Sequence, residues 1–397
     1  MPDRTRWGAA LVVILAGVVA ALQIGKAAVA LPALQVELAL SLSTAAWIVG
    51  AYSALGALAG LPGGILTSML NARAVMIGGL VLAGVASLAG ALAPSGPILI
   101  ATRVLEGCGF IACAVSGPRL LGALASPREG QAVFALWGVY LPGGAAAMML
   151  GGPYLMAFGW QALWIVNGVV ALIFAVGLSR LDIAEPPLPR VDGRAILANA
   201  RRVLGAPGPA LLGLTFGIYT FQYAALTGLM PTLLVHQLGL SIPAAGFISA
   251  LTVAANAFGN LSAGALMRLG VPIWAVIAVS FGFQGLAAFG IFSQALPVWM
   301  VALLACLSLA LTGAIPGSIF AAAPNYAPSP ALLAVAIGLV NQTSNIGALA
   351  GPAALGAFVQ AFGWAQAPLV FVAATVAGIA AALLLRRLRQ REAEARR

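Results

Sequence analysis

Apolar residues run along this chain in long blocks, interrupted by charges, Pro/Gly clusters and short polar runs. Breaking it there leaves twelve segments, at about 8–31, 44–66, 74–93, 97–121, 131–155, 160–180, 208–236, 244–266, 272–293, 297–322, 331–359 and 365–385. Each approximates the ~20 residues that carry a helix across ~30 Å of hydrocarbon. The pattern predicts an all-α polytopic membrane protein with 12 transmembrane helices. Arg4 and Arg6 ahead of an apolar run, with Ala28-Val29-Ala30 after it, imitate a secretory signal peptide. The run is too long for that, and Lys26 interrupts it, so it is read as span 1.

Composition narrows the class further. Of 397 residues, 62% are apolar and 7% are charged, where a soluble domain carries roughly 25% charged residues. One His, one Lys and three Cys are too few for a zinc site, a histidine triad or a disulfide framework. The net charge of +10 comes from 19 scattered basic residues, which excludes nucleic acid as a partner. No phosphate loop of the Gly-x-x-x-x-Gly-Lys-Ser/Thr type occurs, so ATP is not the direct driver, and no cofactor or metal is expected.

The basic residues also orient the chain. Seventeen of the 19, from Arg4 and Arg6 to Arg396 and Arg397, fall on the side of the termini. The loops of the other side hold none, and Lys26 and Arg103 lie inside spans. The positive-inside rule then places both termini in the cytoplasm, with the chain in a bacterial inner membrane. The longest polar stretch, 181–207, carries Pro186, Pro187 and Pro189 and then a basic segment, 190–202. It separates a six-span unit, 1–180, from a second one with a basic tail, 208–397.

The two units repeat at an offset of about 200 residues. Gly60, Gly64 and Leu66 fall on Asn260, Gly264 and Leu266, Pro97 on Pro297, and Gly138 on Gly338. Gly152-Pro153 matches Gly351-Pro352, and Phe158-Gly159-Trp160 matches Phe362-Gly363-Trp364. Duplicated six-helix halves mark secondary transporters.

Three motifs then resemble the major facilitator superfamily. The loop after span 2 reads Gly60-Leu-Pro-Gly-Gly-Ile-Leu-Thr-Ser-Met-Leu-Asn-Ala-Arg73. Against the family's Gly-x-x-x-Asp-Arg-x-Gly-Arg, Gly64 and Arg73 fit as the inner-gate motif, while Ser68 replaces the Asp. Arg103-Val-Leu-Glu-Gly-Cys-Gly109 on span 4 resembles Arg-x-x-Gln/Glu-Gly-x-Gly. Gly151-Gly152-Pro153 on span 5 partly matches the antiporter signature. The resemblance implies alternating access by rocking of two halves, with spans 1, 4, 7 and 10 around a central cavity.

Charges inside spans cost ~2.5–3.5 kcal/mol each and are expected to face water or a partner. Lys26, Arg103 and Glu106 are the candidates, and Arg103 and Glu106 share a helix face. Counting from Pro97 and Pro32 as span ends places Arg103 and Lys26 at a similar depth of ~9 Å. Their expected role is to hold an anionic solute, with Glu106 as the proton-coupling group. Lys26 could instead snorkel to headgroups, and Arg103 and Glu106 could form a structural pair. The second half offers neutral groups: Tyr219, Gln222 and Tyr223 on span 7, and Asn341 and Asn345 on span 11. With Gln23 they complete the expected substrate-binding set; interhelical hydrogen bonding is the alternative role for these polar groups. The expected partners are a small-molecule substrate, protons and the lipid bilayer, and the protein is expected to be a monomer. The expected activity is proton-coupled transport of a small organic anion or weak acid. Export of drugs, siderophores or other amphipathic compounds is the alternative, and a transport-deficient receptor or scaffold a further one.

Overall fold

The computed structural model describes residues 4–58, 70–183, 193–329 and 332–395, and all its regular secondary structure is helical. The α-helices are α1 (Trp7–Glu37), α2 (Leu42–Gly50), α3 (Ala72–Ala91), α4 (Gly96–Leu124), α5 (Gly130–Gly138), α6 (Tyr140–Leu155) and α7 (Trp160–Ser179). They continue with α8 (Gly193–Leu204), α9 (Pro207–His236), α10 (Ile242–Arg268), α11 (Ile273–Ile291), α12 (Val298–Tyr326), α13 (Leu333–Phe362) and α14 (Pro368–Ala395). Among the described residues, ten helices are long and apolar enough to cross a membrane, and an eleventh crossing arises if α5 and α6 count as one bent span. A shorter apolar helical stretch, Leu42–Leu58, contains α2. Helix is the form these segments take because hydrocarbon offers no partner for a free N–H or C=O.

Two spans depart from the sequence reading, and of the expected span 44–66 the part beyond residue 58 lies outside the described residues. Span 5 breaks at Val139, between α5 and α6. Pro142 has no N–H to give the carbonyl of Gly138 four residues back, and its ring crowds that carbonyl. Span 1 does not end at Pro32, because α1 carries this proline within it and runs on to Glu37. Lys26 therefore lies ~16 Å from the end of its helix at 1.5 Å per residue, not ~9 Å.

The helices form two bundles. In the first, α1 packs on α4, α6 and α7, while α3 packs on α4 and α7; in the second, α9 packs on α13 and α14, while α12 packs on α10 and α11. Their outward surfaces carry exposed apolar side chains such as Leu150, Ile173, Leu286 and Val376, as lipid contact requires. The repeat extends to backbone detail. Gly159 (φ 89°) and Gly363 (φ 82°) make the same left-handed turn before Trp160 and Trp364. Ala39 (φ 50°) and Gly239 (φ 67°) form another matched pair, each followed by a capping serine. Ser41 caps α2 through the Thr44 N–H at 3.1 Å, and Ser241 caps α10 through the Ala244 N–H at 3.4 Å.

Between the bundles, α2 packs on α13, α6 on α10 and α1 on α9. The described contacts begin at the end opposite the termini, where the Ser43 N–H donates to Gln360 Oε1 at 2.9 Å. Gly50 then lies against the Leu349 backbone and Gly246 against Met149 and Pro153. They reach mid-depth, where Gln342 Nε2 donates to the Ala57 carbonyl at 3.1 Å. Two apolar clusters join the bundles at the same end: Leu31, Ala45 and Ala46 pack with Leu226, Leu229 and Leu355, and Ala250 and Val253 pack with Ile48 and Met149. The molecule is closed at the end away from the termini.

Candidate functional site

Three charges meet inside the first bundle. Helix α1 supplies Lys26, and α4 supplies Arg103 and Glu106 from the same face. Lys26 Nζ lies 2.9 Å from Glu106 Oε1, and Arg103 Nη1 pairs with Glu106 Oε2. All three side chains are 0% exposed. Lys26 also donates to Ser87 Oγ on α3 at 2.7 Å, and the Ser87 hydroxyl donates in turn to the Trp164 carbonyl on α7 at 2.6 Å. The ammonium stands 4.6 Å from the Trp164 ring centroid. Lys26 thus points into its own bundle and does not snorkel.

Arg103 is tied down on several sides. Its Nη1 donates to the Gln23 carbonyl at 2.8 Å, and its Nε to the Ile48 carbonyl at 3.1 Å. Its guanidinium sits 4.6 Å over the Tyr52 ring, and the Tyr52 hydroxyl donates to the Ala20 carbonyl at 2.8 Å. The glycines of the motif let the neighbours close in. A Cβ at Gly107 would collide with the Tyr52 carbonyl, and one at Gly109 with the Gly79 carbonyl. Arg103 Nη2 and both polar atoms of the buried Gln23 side chain have no partner among the described residues. Ion pairs in a low-dielectric core persist when hydrogen bonds satisfy their remaining donors and acceptors; Ser87, Gln23 and Ile48 supply them here.

The neutral candidates of the second half mostly serve their own bundle. The Tyr219 hydroxyl donates to Asn256 Oδ1 at 3.0 Å, and Asn256 Nδ2 donates to the Leu309 carbonyl at 3.0 Å, linking α9, α10 and α12. Gln222 Nε2 reaches across to α14, donating to the Phe371 carbonyl at 2.9 Å and Thr375 Oγ1 at 3.2 Å. Tyr223 is half-buried and stacks on Tyr219 with centroids 5.9 Å apart. Asn341 is exposed and receives at its carbonyl the Asn345 Nδ2 donor at 2.9 Å. The Asn345 side chain also lies against Gly56, at the junction of the bundles. Of the inner-gate motif, Gly64 lies outside the described residues. Arg73 Nε donates to the Leu178 carbonyl at 3.3 Å, and its Nη2 donates to the Ser179 carbonyl, so it closes the end of α7.

Sequence reasoning missed Ser87, Tyr52 and Trp164. Ser87 has the signature of any small packing residue. Tyr52 begins an aromatic row in the first bundle: Phe110 lies 5.2 Å from it, Tyr140 lies 6.2 Å from Phe110, and Trp137 lies 4.3 Å from Tyr140. The second bundle answers with Phe216, 5.8 Å from Tyr219 and 5.4 Å from Phe320.

Two repeated bundles of apolar helices, joined at one end and holding a buried ion cluster, define a two-bundle helical membrane protein. The chain belongs to the Major Facilitator Superfamily, whose family model matches residues 13–331 and 212–397. Its long apolar helices make it a multi-pass membrane protein of that family. Among its relatives, the puromycin resistance protein of Streptomyces alboniger is 31% identical over 226 residues, 56% of this chain and 43% of that protein. The cephamycin export protein of Amycolatopsis lactamdurans is 32% identical over 194 residues, 47% of this chain and 38% of that protein. The chain thus spans less than half the length of these two relatives. The 3-(3-hydroxy-phenyl)propionate transporter of Escherichia coli is 31% identical over 312 residues, 77% of this chain and 75% of that protein. In fold, the chain matches the crystal structure of a bacterial homolog of the human lysosomal transporter Spinster with a TM-score of 0.82, at 17% identity over 98% of both chains.

Proposed function

We propose that this transporter exports small amphipathic organic compounds by alternating access, driven by the proton gradient. The observation that carries this reading is the closed ion cluster. Lys26 and Glu106 are used up on one another, on Arg103 and on Ser87, and Arg103 keeps only Nη2 without a partner among the described residues. The groups left for cargo at mid-depth are aromatic or neutral: half-buried Phe110, Tyr140 and Tyr223, and Asn345 at the bundle junction. Such a surface grips a cargo by area and ring stacking, with polar groups fixing its orientation. The relatives named for puromycin resistance and cephamycin export support the same direction.

Within this reading Glu106 is the proton-coupling residue. Protonating it removes the one negative charge between two cations, so the cluster must loosen, and Tyr52 beside Arg103 relays that change to the aromatic row. The termini and the 181–207 linker face the cytoplasm, so the end joined by Ser43 and Gln360 faces away from the cell interior. The units 1–180 and 208–397 rock as two bodies of one monomer.

A second reading, carriage of an aromatic organic anion, is favoured by Arg103 Nη2 and the Gln23 amide, which are buried without partners among the described residues. The Escherichia coli relative, matched over 77% of this chain, supports it. One experiment separates the two. Cells expressing the chain are challenged with puromycin, lincomycin and methyl viologen, and in parallel fed labelled 3-(3-hydroxyphenyl)propionate. The export reading expects raised tolerance of at least one toxic compound, lowered again by Phe110→Ala or Tyr223→Ala. Unchanged tolerance with accelerated entry of the acid would replace it with the anion reading.

A further inference from the structure

The second bundle carries a cavity at one corner. In the first bundle, the corner between the 70–71 turn, the end of α4 and the end of α7 holds two arginines among the described residues. Arg73 donates to the last carbonyls of α7, and Arg119 Nη1 donates to the Leu70 carbonyl at 3.0 Å. At the 200-residue offset their places are taken by Ile273 and Ile319. The matching corner of the second bundle is a cavity of about 450 Å³ between the 269–272 turn and the ends of α12 and α14.

Its walls pair cations with rings. Arg386 lies 4.6 Å over Trp274, and Arg389 lies 5.2 Å over Tyr326. The two arginines are three residues apart on α14, hence on one face. A guanidinium stacked on a ring is held by its face, while its N–H donors lie in its plane, where they match the oxygens of a phosphate. Exposed Asn325 adds a polar group to the rim, and buried Leu385 contributes apolar floor. The apolar run of α14 ends at Leu385, and the basic tail begins at Arg386. The cavity therefore straddles the boundary between hydrocarbon and headgroups.

We propose that this corner binds the phosphate headgroup of an anionic phospholipid from the leaflet at the termini end. A ligand that is anionic at one end and apolar at the other fits a pocket that is cationic at its rim and apolar at its floor. Juxtamembrane arginines attract acidic lipids in any case; the ring-stacked pair adds a defined seat. The site is independent of the cargo path, so it stands or falls separately from the export reading.

The test is native mass spectrometry of the full-length chain in detergent, titrated with phosphatidylglycerol, with phosphatidylcholine as the neutral arm and inorganic phosphate as the soluble arm. One tightly held phosphatidylglycerol is expected, with little retention of phosphatidylcholine. Arg386→Gln with Arg389→Gln should weaken it about 10- to 30-fold. Arg387→Gln with Arg391→Gln removes the same charge outside the cavity lining and should change it by less than about twofold. Trp274→Leu keeps every charge and should also weaken binding, because the stacking platform is gone. Equal losses in the two double variants would reduce the effect to general charge and overturn the site. Displacement of the lipid by inorganic phosphate at equal concentration would overturn the assignment to a lipid.

Discussion

Glu106 and Lys26 have opposite consequences when removed one at a time. Glu106→Gln leaves two buried cations with no counter-charge, and breaking such a cluster costs about 3–5 kcal/mol. Lys26→Met leaves the balanced Arg103–Glu106 pair and fills the same space with apolar atoms. Thermal unfolding in detergent should show a large loss for Glu106→Gln and a midpoint held or raised for Lys26→Met. Similar losses in both would mean the three charges do not act as one cluster. The sequence singled out the three residues that meet here, because charges within spans are scarce and the spacing of Arg103 and Glu106 puts them on one face. It did not tell where Lys26 points. Helix α1 is apolar all round, so no face is marked, and only the packing of α3 and α7 turns the ammonium toward Ser87 and Trp164. The pull of Gln222 toward α14 and of Tyr219 toward Asn256 was hidden for the same reason.

At the scale of the element, the repeated turns carry the sharpest expectation. Gly159 and Gly363 share a backbone conformation, near φ 80–90° and ψ 160°, that is open essentially to glycine alone. Gly159→Ala and Gly363→Ala should each cost about 1–3 kcal/mol, read as a lower thermal midpoint, with the effects additive because the turns lie in different bundles. A midpoint unchanged in both would show that the turns are not fixed by this geometry. The Phe-Gly-Trp repeat was legible as residues, and the shared φ explains why glycine stands in both copies. The break at Val139 was hidden within an unbroken apolar run, 131–155, that reads as one span. The helix α8 within the linker was not foreseen, because the prolines and charges before it read as a polar stretch. Its Val203 is buried and packs with Leu332, Ala336 and Leu339, a contact that appears only once α13 is placed beside it.

For the molecule as a whole, the closed end is the element to trap. Ser43 and Gln360 face each other across the bundles. A disulfide between Ser43→Cys and Gln360→Cys should arrest transport under oxidation and restore it under reduction. Transport that continues with the bond formed would exclude rocking about this end. Orientation is checked with exposed positions at opposite ends of the bundles. In intact cells an impermeant thiol reagent should label Glu37→Cys and spare Arg128→Cys; the reverse pattern would invert the topology. The most direct measurement of proton-driven export uses inside-out membrane vesicles holding the chain, given whichever toxic compound the cells tolerate. An imposed gradient, acidic inside, should drive accumulation that collapses with a protonophore and is absent in folded, purified and reconstituted Glu106→Gln. Accumulation that survives the protonophore, or proceeds at the wild-type rate in Glu106→Gln, would contradict proton-driven export through the buried cluster.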